Sequence, residues 1–183
     1  MIRTNLQLLH IIESLSEKTE AITLRNYSVG QRIIQQGQEG KNVYIIRSGI
    51  AKCFITEDND KDYILEFLGE GELLGEIEAI RKEPAICSIE PVTPVSIYIM
   101  SNIEFMQLLK TKPDFNAIVI ALMATRISNS SVKSARQQLY TLSQILPQLL
   151  SALNAQQITF TKQDLSEYLG ISVRSLNRLL KTT

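Results

Sequence analysis

The sequence predicts an α+β protein: an N-terminal antiparallel β jelly roll, a long α-helix, and a C-terminal helix-turn-helix. Three observations carry this. Residues 22–100 consist of short apolar runs (ITLRNY, QRIIQQ, NVYIIR, IAKCFI, DYILEFL, VSIYIM) punctuated by Gly30, Gly37, Gly40, Gly49, Gly69, Gly71, Gly75 and Pro84. Strands of about five residues with turn signals every 8 to 12 or so indicate an all-β sandwich or jelly roll rather than a parallel sheet. After Met100 no glycine occurs until Gly170, and the apolar spacing becomes helical. The charge is also segregated: 19 basic and 19 acidic groups balance over 183 residues, yet 1–125 hold 12 basic and 17 acidic groups and 126–183 hold 7 and 2. A basic C-terminal segment on an acidic body points to a polyanionic partner.

The elements follow in order. Residues 5–15 place Leu6, Leu9 and Ile12 at helical spacing behind Thr4 or Asn5 as cap. Ser101 caps a helix over IEFMQLLKTK, and Pro113 suits the first turn of the next. In that long helix Val119, Met123 and Ile127, then Ser130, Ser131 and Ser134, recur every three or four residues. The pattern can run to about Leu146, roughly 50 Å at 1.5 Å per residue, more than one jelly roll needs for its own cover. Val119, Met123 and Ile127 are therefore read as a dimer seam.

The last stretch carries the most chemistry. Thr161 precedes KQDLSEYLG with Asp164 three positions on, an acidic capping box. Leu165, Tyr168 and Leu169 form the inner face, Gly170 supplies a left-handed turn, and Ser172 caps VRSLNRLLK. Helix, glycine turn and helix is the arrangement of the helix-turn-helix reader of double-stranded DNA. Its outward residues are Val173, Arg174, Ser175, Asn177, Arg178 and Lys181. Arginine can pair bidentately with guanine, and lysine mostly meets phosphate. The alternative is a solvated helical hairpin.

A second cluster, GEGELLGEIEAIRKEPAICSIE over 69–90, offers Gly75 to free backbone N–H groups and Glu76 to accept from hydroxyls, as a site for a phosphorylated sugar requires. The alternative is a glycine turn beside a solvated acidic segment. The clustered Glu70, Glu72, Glu76 and Glu78 have no evident partner base for glycosidase chemistry, and one histidine, His10, cannot supply an imidazole metal site or a cupin-like enzyme. Cys53 and Cys87 allow at most one disulfide and read as strand residues. No apolar run reaches the ~18 residues of a bilayer span and no signal peptide opens the chain, so a cytoplasmic, non-enzymatic protein without a membrane partner is expected.

Together these residues resemble the Crp/Fnr transcription regulators, from about Ile22 to the end, through the glycine-punctuated strands, GELLGEIEAI, KPDF and FTKQDLSEYLGISVRSLNRLLK. Within that family GEIEAI is most similar to the YeiL-type branch. The resemblance implies a cyclic-nucleotide-binding-like effector domain over 1–112, a dimerisation helix over 113–141 and a DNA-binding unit over 142–183. It implies a homodimer on operator DNA, an unidentified small-molecule effector, and RNA polymerase as a further partner. Gly75 and Glu76 match the family's ribose-binding Gly-Glu pair, and Ser130 with Ser131 fall where helix hydroxyls meet the base. Pro84 and Ala85 stand in place of the Arg-Ser pair that grips the cyclic phosphate, so cAMP is not expected as effector unless Arg81 or Lys82 folds back. The N-terminus has no cysteine cluster for an iron–sulfur centre, and no other cofactor is implied. The sequence ends at Thr183, without the family's two-stranded wing. The competing expectation is therefore a sensor or interaction protein that has lost effective DNA binding.

Overall fold

The structure is a computed structural model that describes residues 2–155 and 160–181. Eight strands form two four-stranded sheets: β1 (Ile2–Arg3), β5 (Asp62–Leu68), β4 (Ala51–Thr56) and β7 (Ser88–Pro91) in one, and β2 (Thr23–Tyr27), β8 (Val95–Ser101), β3 (Asn42–Ser48) and β6 (Leu73–Leu74) in the other. β1 runs parallel to β5, and every other pair is antiparallel. The sheets face each other over a core of Ile46, Ala51, Leu68, Leu74, Ile89, Val95 and Ile97. The expected jelly roll is present with one correction: QRIIQQ is not a strand. Ile33 and Ile34 bond only to Ile89, because the chain then turns at Gly37 and Gln36 is drawn to the main chain of Thr56.

Helices cover the open faces, and their ends obey local chemistry. α1 (Leu6–Ser16) is capped by the Asn5 carboxamide, which accepts from the Leu8 N–H, and α3 (Asn102–Thr111) by the Ser101 hydroxyl. Both pack with α4 (Pro113–Leu139) on Val43, Ile45, Tyr98 and Met100. α4 has 27 residues, about 40 Å. It does not continue to Leu146, since the chain is extended at Tyr140 and restarts as α5 (Leu142–Ala155).

The C-terminal unit consists of α5, α6 (Lys162–Leu169) and α7 (Val173–Leu180). Thr161 and Asp164 form the expected reciprocal capping box, Gly170 adopts φ +68°, and Ser172 caps α7. This unit does not stand apart. Leu146, Leu149, Leu165, Leu169 and Leu176 share one core with Phe54, Ile64 and Phe67 on the outer face of β4 and β5.

Candidate effector cavity and nucleic-acid interface

Between the two sheets and α4 lies a cavity of about 330 Å³. One end is formed by Gly75 and α2 (Glu76–Arg81), a short helix where the sequence suggests only a loop. Gly75 sits at φ +79°, and a Cβ there would lie 2.8 Å from the Asn42 carbonyl oxygen, so the turn excludes any side chain. That turn sends the Glu76 carboxylate inward, where it is 2 % exposed.

Glu76 does not wait there as a free acceptor. Arg126 of α4 reaches across, donating to Glu76, to Glu72 Oε2 at 2.7 Å and to the Leu73 carbonyl at 2.6 Å. Burial pushes the Glu76 carboxyl up, with Arg126 opposing, while the two carboxylates outweigh burial and raise the guanidinium. Arg126 is the main functional side chain that sequence reasoning missed. The signal was a lone arginine amid apolar and small residues of the long helix, which needed the buried Glu72 and Glu76 to give it meaning.

A second missed residue is Lys133, two turns further along α4. Its Nζ donates to the Leu65 carbonyl (2.7 Å) and the Ile64 carbonyl (3.3 Å), where Leu65 is an extra residue in β5: Cys53 pairs with Glu66, but Phe54 pairs with Ile64. The same ammonium lies 3.9 Å from the Tyr168 ring centroid on α6. Desolvation lowers its pKa to about 8 and drives Tyr168 up to about 12. One lysine thus touches the cavity, the sheet and the C-terminal unit.

Of the proposed pocket residues, Gly75, Glu76 and Ser130 line the cavity. Ser131 does not: its hydroxyl donates to the Ile127 carbonyl, and Ser134, one turn beyond Ser130, takes its place. Arg81 and Lys82 do not fold back. Arg81 pairs with Glu83 at 2.6 Å on the surface, and Lys82 closes α2 in a left-handed conformation beside the α2–α3 groove. Where a cyclic phosphate would need a cation, Pro84 has no N–H, the Ala85 N–H is held by the Gln38 carbonyl, and the Ile86 N–H donates to the Glu78 carboxylate at 3.2 Å. Glu78 is itself buried and lines the cavity. A built-in anion already occupies that donor and repels a second one.

The seam is corrected too. Val119 is buried against Phe115 and Leu122 in the chain's own core, and Met123 is half-buried on it; only Ile127 is outward, 70 % exposed. The wet stripe instead runs through Ala117, Ile120, Ala124, Ile127 and Ser131, alternating three and four residues apart. That is the a/d spacing of a two-helix seam.

On α7, Arg174, Arg178 and Lys181 are exposed and Val173 and Ser175 half-buried, whereas Asn177 is partly committed, accepting from Lys162 at 2.8 Å. α6 is seated on the jelly roll by Lys52, which bonds Asp164 at 2.9 Å and lies 3.6 Å from Glu167, and by Phe67, whose ring centroid is 5.4 Å from that of Tyr168 on α6 and 4.1 Å from that of Phe160 just before it. Asp164 so serves both as cap and as inter-unit partner. Burial pulls the Lys52 ammonium down, but Asp164 and Glu167 outweigh it and hold it raised. Among the described residues no three His, Cys, Asp or Glu side chains converge as metal ligands, and no helix is long and apolar enough to cross a membrane.

The architecture is a β-roll with a cavity of about 330 Å³, then a long helix and a helix-turn-helix. Residues 24–112 match the cyclic nucleotide-binding domain family. The chain is 24% identical over 171 residues to the cAMP-activated global transcriptional regulator CRP of Pasteurella multocida, covering 86% of this chain and 81% of that protein. It is 26% identical over 164 residues to the cyclic AMP receptor protein of Thermus thermophilus, covering 85% and 74%. The fold matches the c-di-GMP responsive global regulator CLP of Xanthomonas campestris with TM-score 0.82 at 18% identity, over 93% and 90% of the two chains. It matches FixK2 of Bradyrhizobium japonicum with TM-score 0.73 at 14% identity, over 88% and 83%. The chain carries a cyclic nucleotide-binding domain and is homologous to the Crp/Fnr-family transcription regulators.

Proposed function

We propose that this chain is a DNA-binding transcription regulator that acts as a cytoplasmic homodimer and answers to a small molecule other than a cyclic nucleotide. The observation that carries it is α7: capped by Ser172, anchored inward by Leu176, and presenting Arg174, Arg178 and Lys181 together on a free face. Two such helices joined through the Ile120–Ile127 seam would read half-sites about 34 Å apart. The cavity adjoins that seam through Ser130 and Ser134, so an occupant of the cavity can bias how the two α4 helices meet. RNA polymerase is the further partner this reading implies, and no catalytic step is assigned.

Selection of bound sequences from random DNA, followed by gel shift, tests the reading. A selected site with two-fold symmetry and half-sites one helical turn apart supports it. A chain that shifts no DNA at low salt in any ligand state favours the second reading, a sensor without effective DNA binding, to which the seating of α6 on β4 and β5 lends weight. For the effector, calorimetry with cAMP is expected to give no binding tighter than about 100 µM, weaker than roughly −5.5 kcal/mol, because Glu78 holds the Ile86 donor and Arg126, which lines the same cavity, is committed to Glu72, Glu76 and the Leu73 carbonyl. Low-micromolar binding would overturn that part.

A further inference from the structure

Cys53 and Cys87, the two cysteines of the chain, stand 34 residues apart in sequence and side by side in space. Cys53 lies in β4, and Cys87 immediately precedes β7, whose ladder with β4 pairs Cys53 with Ile89 and Phe54 with Ser88. Cys87 therefore falls diagonally across from Cys53 on the same face of the sheet. Both thiols are free, their sulfurs are 2.9 Å apart, and both line the cavity. A covalent bond needs about 2.05 Å, so closure requires the two sulfurs to approach by somewhat less than about an ångström. Burial of apolar side chains alone does not call for two thiols turned toward each other in the wall of a ligand cavity.

We propose that Cys53 and Cys87 form a reversible dithiol–disulfide site in the wall of the effector cavity, oxidised by low-molecular-weight disulfides and restored by thiols. One cysteine, as thiolate, attacks a sulfur of the external disulfide and expels one thiolate. The neighbouring thiol gives up its proton, attacks the mixed disulfide and expels the second. The pair loses two electrons and two protons, and the external disulfide gains them as two thiols. The hydrogen bond with Cys87 and burial push the Cys53 thiol well up, and either cysteine can make the first attack while its neighbour resolves the mixed disulfide.

The site is placed to be felt by the C-terminal unit. Strand residues alternate faces: Cys53 faces the cavity, while its neighbours Lys52 and Phe54 face outward, Lys52 onto Asp164 and Glu167 of α6 and Phe54 into the shared core. Drawing Cys53 toward β7 acts on the strand that seats the reading unit.

The test uses the full chain and needs no DNA, so its outcome is independent of the proposed DNA binding. The protein is incubated with glutathione disulfide under native conditions, quenched, and digested without reduction. The expected result is a product lighter by two hydrogens, a peptide pair linked Cys53 to Cys87, and full return of both thiols with dithiothreitol. Cys53→Ser is expected to stop at the glutathione mixed disulfide on Cys87. Two thiols that remain alkylatable in excess oxidant, or links formed only between chains, would overturn the site. Hydrogen exchange on the wild-type pair of states is expected to change at the backbone amides of α6 on oxidation; a cross-linked protein with unchanged α6 exchange would overturn the connection to the reading unit.

Discussion

Arg126→Gln isolates the charge network that ties α4 to the cavity. Arg126 is the only cation that meets Glu76 among the described residues, whereas Glu72 also has Arg3 at 3.5 Å. Removing the guanidinium leaves Glu76, at 2 % exposure, as an unpaired buried carboxylate and frees the Leu73 carbonyl. Breaking one side of a buried pair costs about 3–5 kcal/mol. Glutamine can return one hydrogen bond, worth about 1 kcal/mol, so a loss of about 2–4 kcal/mol is expected at neutral pH. With a urea slope of about 2 kcal/mol/M for a chain of this size, the midpoint falls by about 1–2 M.

The pH dependence separates a charge effect from a packing effect. Glu76 is raised in the folded state, so between its unfolded and folded pKa the folded protein holds more protons, and stability is greatest at the acidic side of that window and declines as pH rises through it. Without Arg126 the folded pKa climbs further and the window widens upward. The deficit of Arg126→Gln should then shrink as pH is lowered from about 7.5 to about 5.5, and Glu76→Gln added to it should recover much of the loss. Urea unfolding followed by circular dichroism at the two pH values measures both. A loss under about 1 kcal/mol, or a deficit that does not change with pH, would refute the reasoning.

Three further outcomes are expected. Ile120→Glu and Ile127→Glu should give folded monomers by sedimentation, since both side chains are exposed in the single chain, whereas Val119→Glu should unfold it by placing a charge in the core, a cost of several kcal/mol; a dimeric Ile120→Glu/Ile127→Glu double variant would move the seam elsewhere. Lys133 is depressed to about 8, so the unfolded chain binds more protons above that pH, and its contribution to stability rises from about 8 toward 10; Tyr168, raised to about 12, acts oppositely above 10, so the wild-type minus Lys133→Met difference should grow with pH and the wild-type minus Tyr168→Phe difference should fall only above 10. Thermal midpoints across that range check both. Arg174→Ala should cost about 1–3 kcal/mol per half-site and relax sequence preference, while Lys181→Ala should weaken all DNA alike and flatten the salt dependence; an unchanged specific-to-random ratio in gel shifts of Arg174→Ala would remove it from base readout.

What the sequence made legible was local. Helix caps depend on residues three apart, so Ser101, Thr161 with Asp164, and Ser172 were readable without any tertiary knowledge, as was the left-handed glycine at 170. Gly75 was legible as a turn because the left-handed backbone it adopts favours glycine, whereas the partner of Glu76 was not, since Arg126 lies 50 residues away. Arg126 and Lys133 were not, since their meaning lies in partners 50 to 69 residues away. Lys133 in particular serves a β-bulge, and the one-residue shift that a bulge makes in the alternation is hard to recognise within a strand of seven residues. QRIIQQ failed in the opposite direction: its composition suits a strand, but pairing is decided by where Gly37 turns the chain.

The long helix shows why Val119, Met123 and Ile127 do not lie on one exposed face. α4 carries two stripes. Phe115, Val119, Leu122 and Arg126 face the jelly roll, and Ala117, Ile120, Ala124, Ile127 and Ser131 face away. A 3.6-residue turn makes any i, i+4 series drift around the helix by about 40° per step. The series Val119, Met123, Ile127 therefore begins in the core stripe, passes through half-burial and ends on the wet one, although each step is a legitimate helical spacing. The periodicity could not separate the two faces because both are apolar. Only the position of the sheet decides between them, and it does so through a charge: Arg126, committed to Glu72 and Glu76, fixes the rotation of α4, and that rotation is what leaves Ile120 and Ile127 outward. The proposed dimer seam and the cavity wall are then two sides of one helix held by one ion-paired arginine, so loss of Arg126 should loosen both together.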